Sequence, residues 1–112
     1  FENIDLCNKD IIIGDNVTFY SNKKIRNGTL NVTSITSAFG LSMTDLNFVG
    51  YMTVNSLAAY NCWLNVALGH LTFTGAVFHN CRITTNVVDL NLTAENVEAF
   101  NSVLDCNLII TK

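Results

Sequence analysis

The chain contains the stretch Ala59-Tyr-Asn-Cys-Trp-Leu64, and a related stretch, Val77-Phe-His-Asn-Cys-Arg-Ile83, follows it so that Cys81 aligns with Cys62. A similar order, an aromatic residue followed by a short strand-like segment, recurs in Ala38-Phe-Gly-Leu-Ser-Met43 and Ala99-Phe-Asn-Ser-Val-Leu104. The aromatic residues of this track follow one another at nearly even intervals: Phe39, Tyr60, Phe78 and Phe100. A repeat of about 20 residues is typical of a solenoid, in which each repeat forms one coil.

A second track, made of apolar-variable-apolar triplets, keeps a similar period on average. Its triplets begin at Leu30, Leu46, Leu71, Leu90 and Leu108. Such alternation indicates short strands with one buried face. The absence of proline suits this arrangement, because proline removes a backbone hydrogen-bond donor. Together the tracks predict an all-β chain folded as a right-handed parallel β-helix of about five rungs, with residues 1–112 forming one domain or a fragment of a longer chain.

Three other repeat folds fit less well. A left-handed hexapeptide coil would keep a strictly constant circuit, and the spacings here are unequal. A leucine-rich repeat begun by Leu68, Leu71 and Phe73 would need asparagine where Ala76 stands. A pentapeptide coil would extend the even spacing of Asn86, Asn91, Asn96 and Asn101, which is confined to that segment.

Asparagine and cysteine occupy equivalent places in successive repeats. Asn61, Asn80 and Asn101 each follow an aromatic residue by one or two positions, so they are predicted to form a ladder at the turns, where asparagine tolerates left-handed backbone angles. Cys62 and Cys81 are predicted to stack inward about 4.8 Å apart. That spacing permits a disulfide, although parallel side chains favour two free buried thiols. Cys7 and Cys106 are predicted to lie at opposite ends.

Composition limits the classes of partner. The 112-residue chain carries only six Lys and Arg and a formal net charge of -3, whereas nucleic-acid binding requires clustered cations. No apolar run approaches the roughly 20 residues of a membrane-spanning helix. Charged residues make up 13% of the chain, so the polar surface is mainly Asn and Thr. We therefore expect neither a nucleic-acid partner nor membrane insertion.

The opening segments resemble a known superfamily. Asp10-Ile-Ile-Ile-Gly-Asp-Asn-Val-Thr-Phe-Tyr20 and Lys24-Ile-Arg-Asn-Gly-Thr-Leu-Asn-Val-Thr33 look like the first circuits of pectin-lyase-like right-handed β-helices of the phage-tailspike and surface-appendage type. The resemblance implies the fold more than an activity. Enzymes of this superfamily cleave acidic or capsular polysaccharides with clustered carboxylates, often aided by histidine, arginine or calcium.

Catalytic chemistry has little support in the sequence. The carboxylates are scattered, and only Asp89 and Asp105 are spaced to face each other as a glycosidase pair would; solvated turn residues are the favoured interpretation. His70 and His79 lack an acid–base or metal partner at a repeat-consistent offset, and a metal site needs three or more ligands, so they are interpreted as lone surface histidines. We predict no catalytic residue, no metal site and no cofactor.

Trp63 and Arg82 are the candidate ligand-binding residues. Their neighbours Cys62, Leu64, Cys81 and Ile83 should point inward, so alternation places Trp63 above Arg82 on an outer face. Ser42 and Val103 are predicted to extend this column. An exposed tryptophan beside an arginine can stack on a sugar ring and bind its hydroxyl or carboxylate groups. The alternative is that Trp63 is covered by a neighbouring chain or loop.

These observations favour a non-catalytic structural or receptor-binding module of a phage tail or cell-surface appendage, located outside the cell or on the virion surface. The expected partners are a second copy or neighbouring domains of the same chain, and cell-surface polysaccharide. The alternatives are a polysaccharide-degrading lyase or glycosidase and a self-polymerising β-helical filament.

Overall fold

The computed structural model describes residues 2–66, 70–85 and 91–111. This part of the chain contains strands and no helix, in a parallel β-solenoid of about five turns. The predicted all-β coil is confirmed. The strands are β1 (Glu2–Phe19), β2 (Lys23–Tyr60), β3 (Trp63–Val66), β4 (His70–His79), β5 (Arg82–Thr85), β6 (Asn91–Phe100), β7 (Val103–Leu104) and β8 (Asn107–Ile110).

Each strand pairs in parallel with the equivalent segment of the next coil. Along one side of the solenoid the order is β2, β3, β5 and β7, and along another it is β2, β4, β6 and β8, while β1 pairs with the first part of β2. The extended backbone of β2 continues through corners of the coil, so its 38 residues contribute to both sides. Side chains that share a register position therefore form columns along the solenoid axis.

One corner of the coil is formed by residues with left-handed backbone angles. Their φ values lie between 50° and 61°, and they are Cys7, Asn8, Asn27, Asp45, Asn61, Asn80 and Asn101. All but Cys7 are asparagine or aspartate, which tolerate this conformation better than other non-glycine residues. The predicted positions of Asn61, Asn80 and Asn101 at turns are thus confirmed. The intervals between corners are unequal: the coil from Asp45 to Asn61 is the shortest, and the one from Asn80 to Asn101 is the longest.

The interior consists of apolar columns from successive coils. Phe48, Leu64, Ile83 and Leu104 form one column, and the first three are fully buried. A second column contains Met52, Leu71, Leu92 and Leu108. Side-chain hydrogen bonds also connect coils outside the core: Ser34 Oγ donates to Asn16 Oδ1 at 2.7 Å, and Gly40 N donates to Asn22 Oδ1 at 2.8 Å.

The aromatic track was predicted in the wrong register. The column contains Tyr60, His79 and Phe100, whereas Phe78 is completely buried one position earlier and pairs with Ala59 and Ala99. Phe39 lies well before the corner at Asp45, so it does not belong to this column. Because the coils differ in length, the spacing of aromatic residues along the sequence does not match the spacing of register partners in the structure.

The triplet track needs a similar correction. The triplet at Leu71 aligns with those at Leu92 and Leu108, while Leu90 lies outside the described residues. The triplet at Leu46 lies on the other side of the coil, because Asn47 pairs with Trp63 of β3.

Both end coils expose side chains that the intervening coils bury. In β1, Ile11 and Ile13 pair with Leu30 and Val32 of the buried core and point the same way. They line an apolar cavity of about 140 Å³ together with Ile4, Leu6, Val17, Phe19 and other residues of the first two coils. At the other end, Leu108 and Ile110 continue the buried columns of Leu92 and Ala94, yet each is 49% exposed.

Candidate functional site

A groove of about 410 Å³ follows the asparagine corner across successive coils. We call it the corner groove; it is lined by Asn47, Asn61, Cys62, Trp63, Asn80, Cys81, Arg82, Asn101 and Val103. The corner turns the backbone so that a strand ending at Tyr60, His79 or Phe100 is followed, just past the turn, by a strand starting at Trp63, Arg82 or Val103. Amide, indole and guanidinium groups are therefore brought to one surface.

Trp63 is exposed and held in a defined orientation. Its side chain is 46% exposed, and its indole Nε1 donates a hydrogen bond to Thr84 Oγ1 on the next coil at 2.7 Å. This bond uses the polar edge of the ring and leaves apolar ring surface on the outside. Trp63 also lines a second groove of about 170 Å³ with Asn47 and Asn65. Trp63 therefore lies on the outer face, as the alternation of inward and outward residues predicts.

Arg82 lies over one face of the indole, on the coil that the repeat predicted. The two residues are register partners on β3 and β5, and Arg82 Cζ is 5.7 Å from the centroid of the Trp63 ring, within cation–π range. The guanidinium remains exposed. Its five donors can therefore reach a ligand that contacts the indole.

The composition of the outer column was predicted only in part. Val103 extends it beyond Arg82, as expected. Ser42 does not belong to it, because Asn47 is the residue that pairs with Trp63. The error has the same origin as the misplacement of Phe39: the coil from Asp45 to Asn61 is shorter than the coils that follow it.

Three stacked rings form the other border of the corner, and we call them the aromatic stack. The rings of Tyr60 and His79 have centroids 5.1 Å apart and an interplanar angle of 11°, and those of His79 and Phe100 are 4.7 Å and 14° apart. His79 is therefore a stacked ring and not a lone surface side chain, although stacking is not the acid–base or metal pairing that the sequence analysis considered. Alignment on the corner asparagines would have revealed the stack, since each ring immediately precedes one of them.

Two thiols lie beneath the corner groove. Cys62 and Cys81 are free and each is 4% exposed. The residues on either side of the two cysteines are register partners, Tyr60 with His79 and Trp63 with Arg82. Cys62 and Cys81 therefore occupy equivalent positions on neighbouring coils, and the predicted stack of buried free thiols is confirmed. Cys7 and Cys106 are also free and belong to the first and last coils.

The other sequence candidates are described only in part. Asp105 is exposed, while its proposed partner Asp89 and the side chain of His70 lie outside what the structure describes. Within residues 2–66, 70–85 and 91–111, no three His, Cys, Asp or Glu side chains are grouped so that they could hold a metal ion. A helix long and apolar enough to cross a membrane is absent from the same residues.

Comparisons with protein-family models, curated protein sequences and solved structures return no match for this chain.

Proposed function

We propose that this chain is a non-catalytic β-solenoid module of the pectin-lyase-like type, belonging to a phage tail or cell-surface appendage, which binds surface glycan at the corner groove. The observation that carries the proposal is the exposed pair of Trp63 and Arg82, whose geometry is fixed by strand register and by the Trp63–Thr84 hydrogen bond. The module acts outside the cell or on the virion surface.

Each part of the groove suits a property of a sugar. The exposed indole can pack against the apolar C–H face of a pyranose ring. The guanidinium can bind hydroxyl or carboxylate oxygens with two parallel donors. Amide groups of Asn61, Asn80 and Asn101 border the same groove and can both donate and accept. Repetition of these groups along the solenoid axis favours an extended chain over a single monosaccharide.

A glycan array that includes neutral and acidic capsular oligosaccharides tests the proposal, followed by calorimetric titration of the best ligand. We expect Trp63→Ala to weaken binding at least about tenfold, which corresponds to about 1.4 kcal/mol. Arg82→Gln should weaken binding of acidic oligosaccharides more than binding of neutral ones, because it removes the charge and keeps hydrogen-bonding capacity.

Tyr20→Ala provides the matched control. Tyr20 is an aromatic residue with 82% exposure that lies between β1 and β2, outside the corner groove. Its removal should leave affinity unchanged. Absence of binding to every glycan, or equal affinities for the wild type and Trp63→Ala, would count against the proposal. Shortening of a bound polysaccharide would instead establish the alternative, a lyase or glycosidase.

Self-association is the second part of the proposed function. The apolar side chains exposed at both end coils favour stacking of a further copy, or of neighbouring segments of a longer chain, on these surfaces. Stacking of end coils that continues from copy to copy would produce a self-polymerising filament. Electron microscopy of the purified protein distinguishes filaments from short oligomers.

A further inference from the structure

The buried thiols of Cys62 and Cys81 form a contact that the glycan-binding proposal does not use. Their register places the α-carbons one coil apart, about 4.8 Å, which lies inside the range found for disulfides. Each of the two thiols is the main influence on the pKa of the other. Both residues border the corner groove and each is 4% exposed, so the pair lies at the boundary between the groove and the interior.

The backbone around the pair holds the sulfurs in place. Cys62 Sγ donates to the Tyr60 carbonyl oxygen at 3.2 Å, and Cys81 Sγ is 3.2 Å from the His79 oxygen and 3.3 Å from the Ala59 oxygen of the preceding coil. Cys81 N donates to Ser102 Oγ at 3.0 Å. Ser102 occupies the position equivalent to the two cysteines one coil later, which shows that a hydroxyl side chain is accommodated at this place.

We infer that Cys62 and Cys81 form a reversible redox site in which a hydroperoxide, such as hydrogen peroxide, converts the two thiols into a disulfide that joins neighbouring coils. The Cys81 thiolate attacks one peroxide oxygen, the O–O bond breaks, and the departing oxygen takes a proton and leaves as water. Cys81 is then a sulfenic acid. The Cys62 sulfur attacks the Cys81 sulfur, the S–O bond breaks, and the second water leaves with the Cys62 proton. Two thiols lose two electrons and two protons, and one peroxide becomes two waters.

The assignment of attacking and resolving cysteine follows from the opposite directions in which the pKa values of the two thiols are shifted. The neighbouring Cys62 thiol lowers the pKa of Cys81, although burial opposes this shift. The same contact, together with burial, raises the pKa of Cys62. The titratable or charged residues next to the pair along the chain or in the groove are His79 and Arg82, and Asp45 of the preceding coil accepts a hydrogen bond from Asn61 beside Cys62.

The decisive experiment uses a Cys7→Ser/Cys106→Ser variant, which keeps the pair intact and removes both other thiols. On treatment with hydrogen peroxide, we expect the thiol titre to fall from two to zero and the intact mass to fall by two hydrogen atoms. Chymotryptic cleavage at Phe73 or Phe78 should leave the Cys62 and Cys81 peptides linked, and a dithiol reductant should separate them. The oxidised protein should also unfold at a higher temperature, since the cross-link restrains the unfolded chain.

Two further measurements distinguish the roles of the cysteines. In the same background, Cys62→Ser should stop the reaction at a Cys81 sulfenic acid that dimedone traps, and Cys81→Ser should slow peroxide consumption at least about tenfold. With the pair intact, the rate should reach its half-maximal value at a lower pH than the rate of an ordinary exposed thiol, because the pKa of Cys81 is lowered.

Three results would overturn the inference: thiols that resist peroxide when folded but react in urea, oxidation to sulfinic acid without a cross-link, or cross-links only between molecules. Each is read from the double variant without altering Cys62 or Cys81, so a folding defect in a further variant cannot obscure it. The result is also independent of glycan binding.

Discussion

Single residues set the path of the backbone at the asparagine corner. Asn80 has a φ of 54°, is exposed, and its backbone N donates to the Phe100 oxygen of the next coil at 3.0 Å. The left-handed conformation costs an ordinary L-residue roughly 1–2 kcal/mol, while glycine adopts it freely. The corner asparagines therefore contribute to stability through backbone preference as well as through any contact of their amides.

Replacement of Asn80 separates the two contributions. We expect Asn80→Ala to lower the free energy of unfolding by about 1–2 kcal/mol, because alanine disfavours a positive φ. Asn80→Gly removes the same side chain but keeps the conformation accessible, so its effect should stay within about 0.5 kcal/mol. Urea denaturation measures both. Equal losses in the two variants would show that the amide contacts, and not the backbone angle, determine the stability of the corner.

For single residues, the sequence predicted whether a side chain points inward or outward, which depends on residue type. It did not always predict which residue of the next coil is the partner, which depends on register. The inward Cys62 and Cys81 and the outward Trp63 and Arg82 follow from identical local order around the corner. His79 was missed because Phe78 was assumed to continue the aromatic track. Phe78 points into the interior, where its large side chain fills the space left by the small side chains of Ala59 and Ala99 in the same column. The positions of the aromatic residues alone do not reveal this packing.

At the scale of the strand, close contact between coils depends on glycine in β2. Gly50 has a φ of 143°, and a Cβ at this position would lie only 2.3 Å from the Val32 oxygen of the preceding coil. The obstacle is backbone, which cannot move away without disturbing the parallel pairing of two coils. Gly75, in β4, offers a comparison because a Cβ there would have no heavy atom within 4 Å.

Alanine at these two glycines should therefore have opposite consequences. We expect Gly50→Ala to lower the free energy of unfolding by at least about 2 kcal/mol, through backbone strain and steric overlap. Gly75→Ala should change it by less than about 1 kcal/mol, and in the stabilising direction if the unfolded chain loses freedom. Thermal and urea denaturation of both variants measure the difference. If Gly50→Ala were as stable as Gly75→Ala, the close approach of these coils would be refuted.

At the scale of the whole molecule, the solenoid was predictable because its period appears in two independent tracks. The length of each coil was not predictable, since the interval between corners varies along the chain. The turns between short strands can contain extra residues without a change in the strands. When a candidate site includes residues from several coils, its members can be predicted only if the length of each coil is known. Arg82 and Val103 were placed correctly beside Trp63, because the register after the corner is regular for β3, β5 and β7. Asn47 was not predicted as the partner of Trp63, because the short coil lies between these two residues.

The exposed end coils lead to a prediction about assembly. Ile13 points toward the interior and lines the open apolar cavity at the first coil, whereas its neighbour Ile12 pairs with Asn31 and points outward with 77% exposure. At the last coil, Ile110 points inward and Ile109 outward, as their partners Ala94 and Thr93 show. A second copy that stacks on an end coil must bury the inward side chains, but it need not bury the outward ones.

Charges at the four positions test this geometry. We expect Ile13→Glu and Ile110→Glu to weaken self-association at least about tenfold, because stacking would bury a carboxylate without a partner. Ile12→Glu and Ile109→Glu place the same charge one residue away on the outer face, so they should leave association nearly unchanged. Sedimentation velocity over a range of concentrations measures the effect, and circular dichroism checks that each variant retains its strands. Equal dissociation by inward and outward charges would point to contact through the side of the solenoid, and a wild type that is monomeric at every concentration would remove end-to-end stacking altogether.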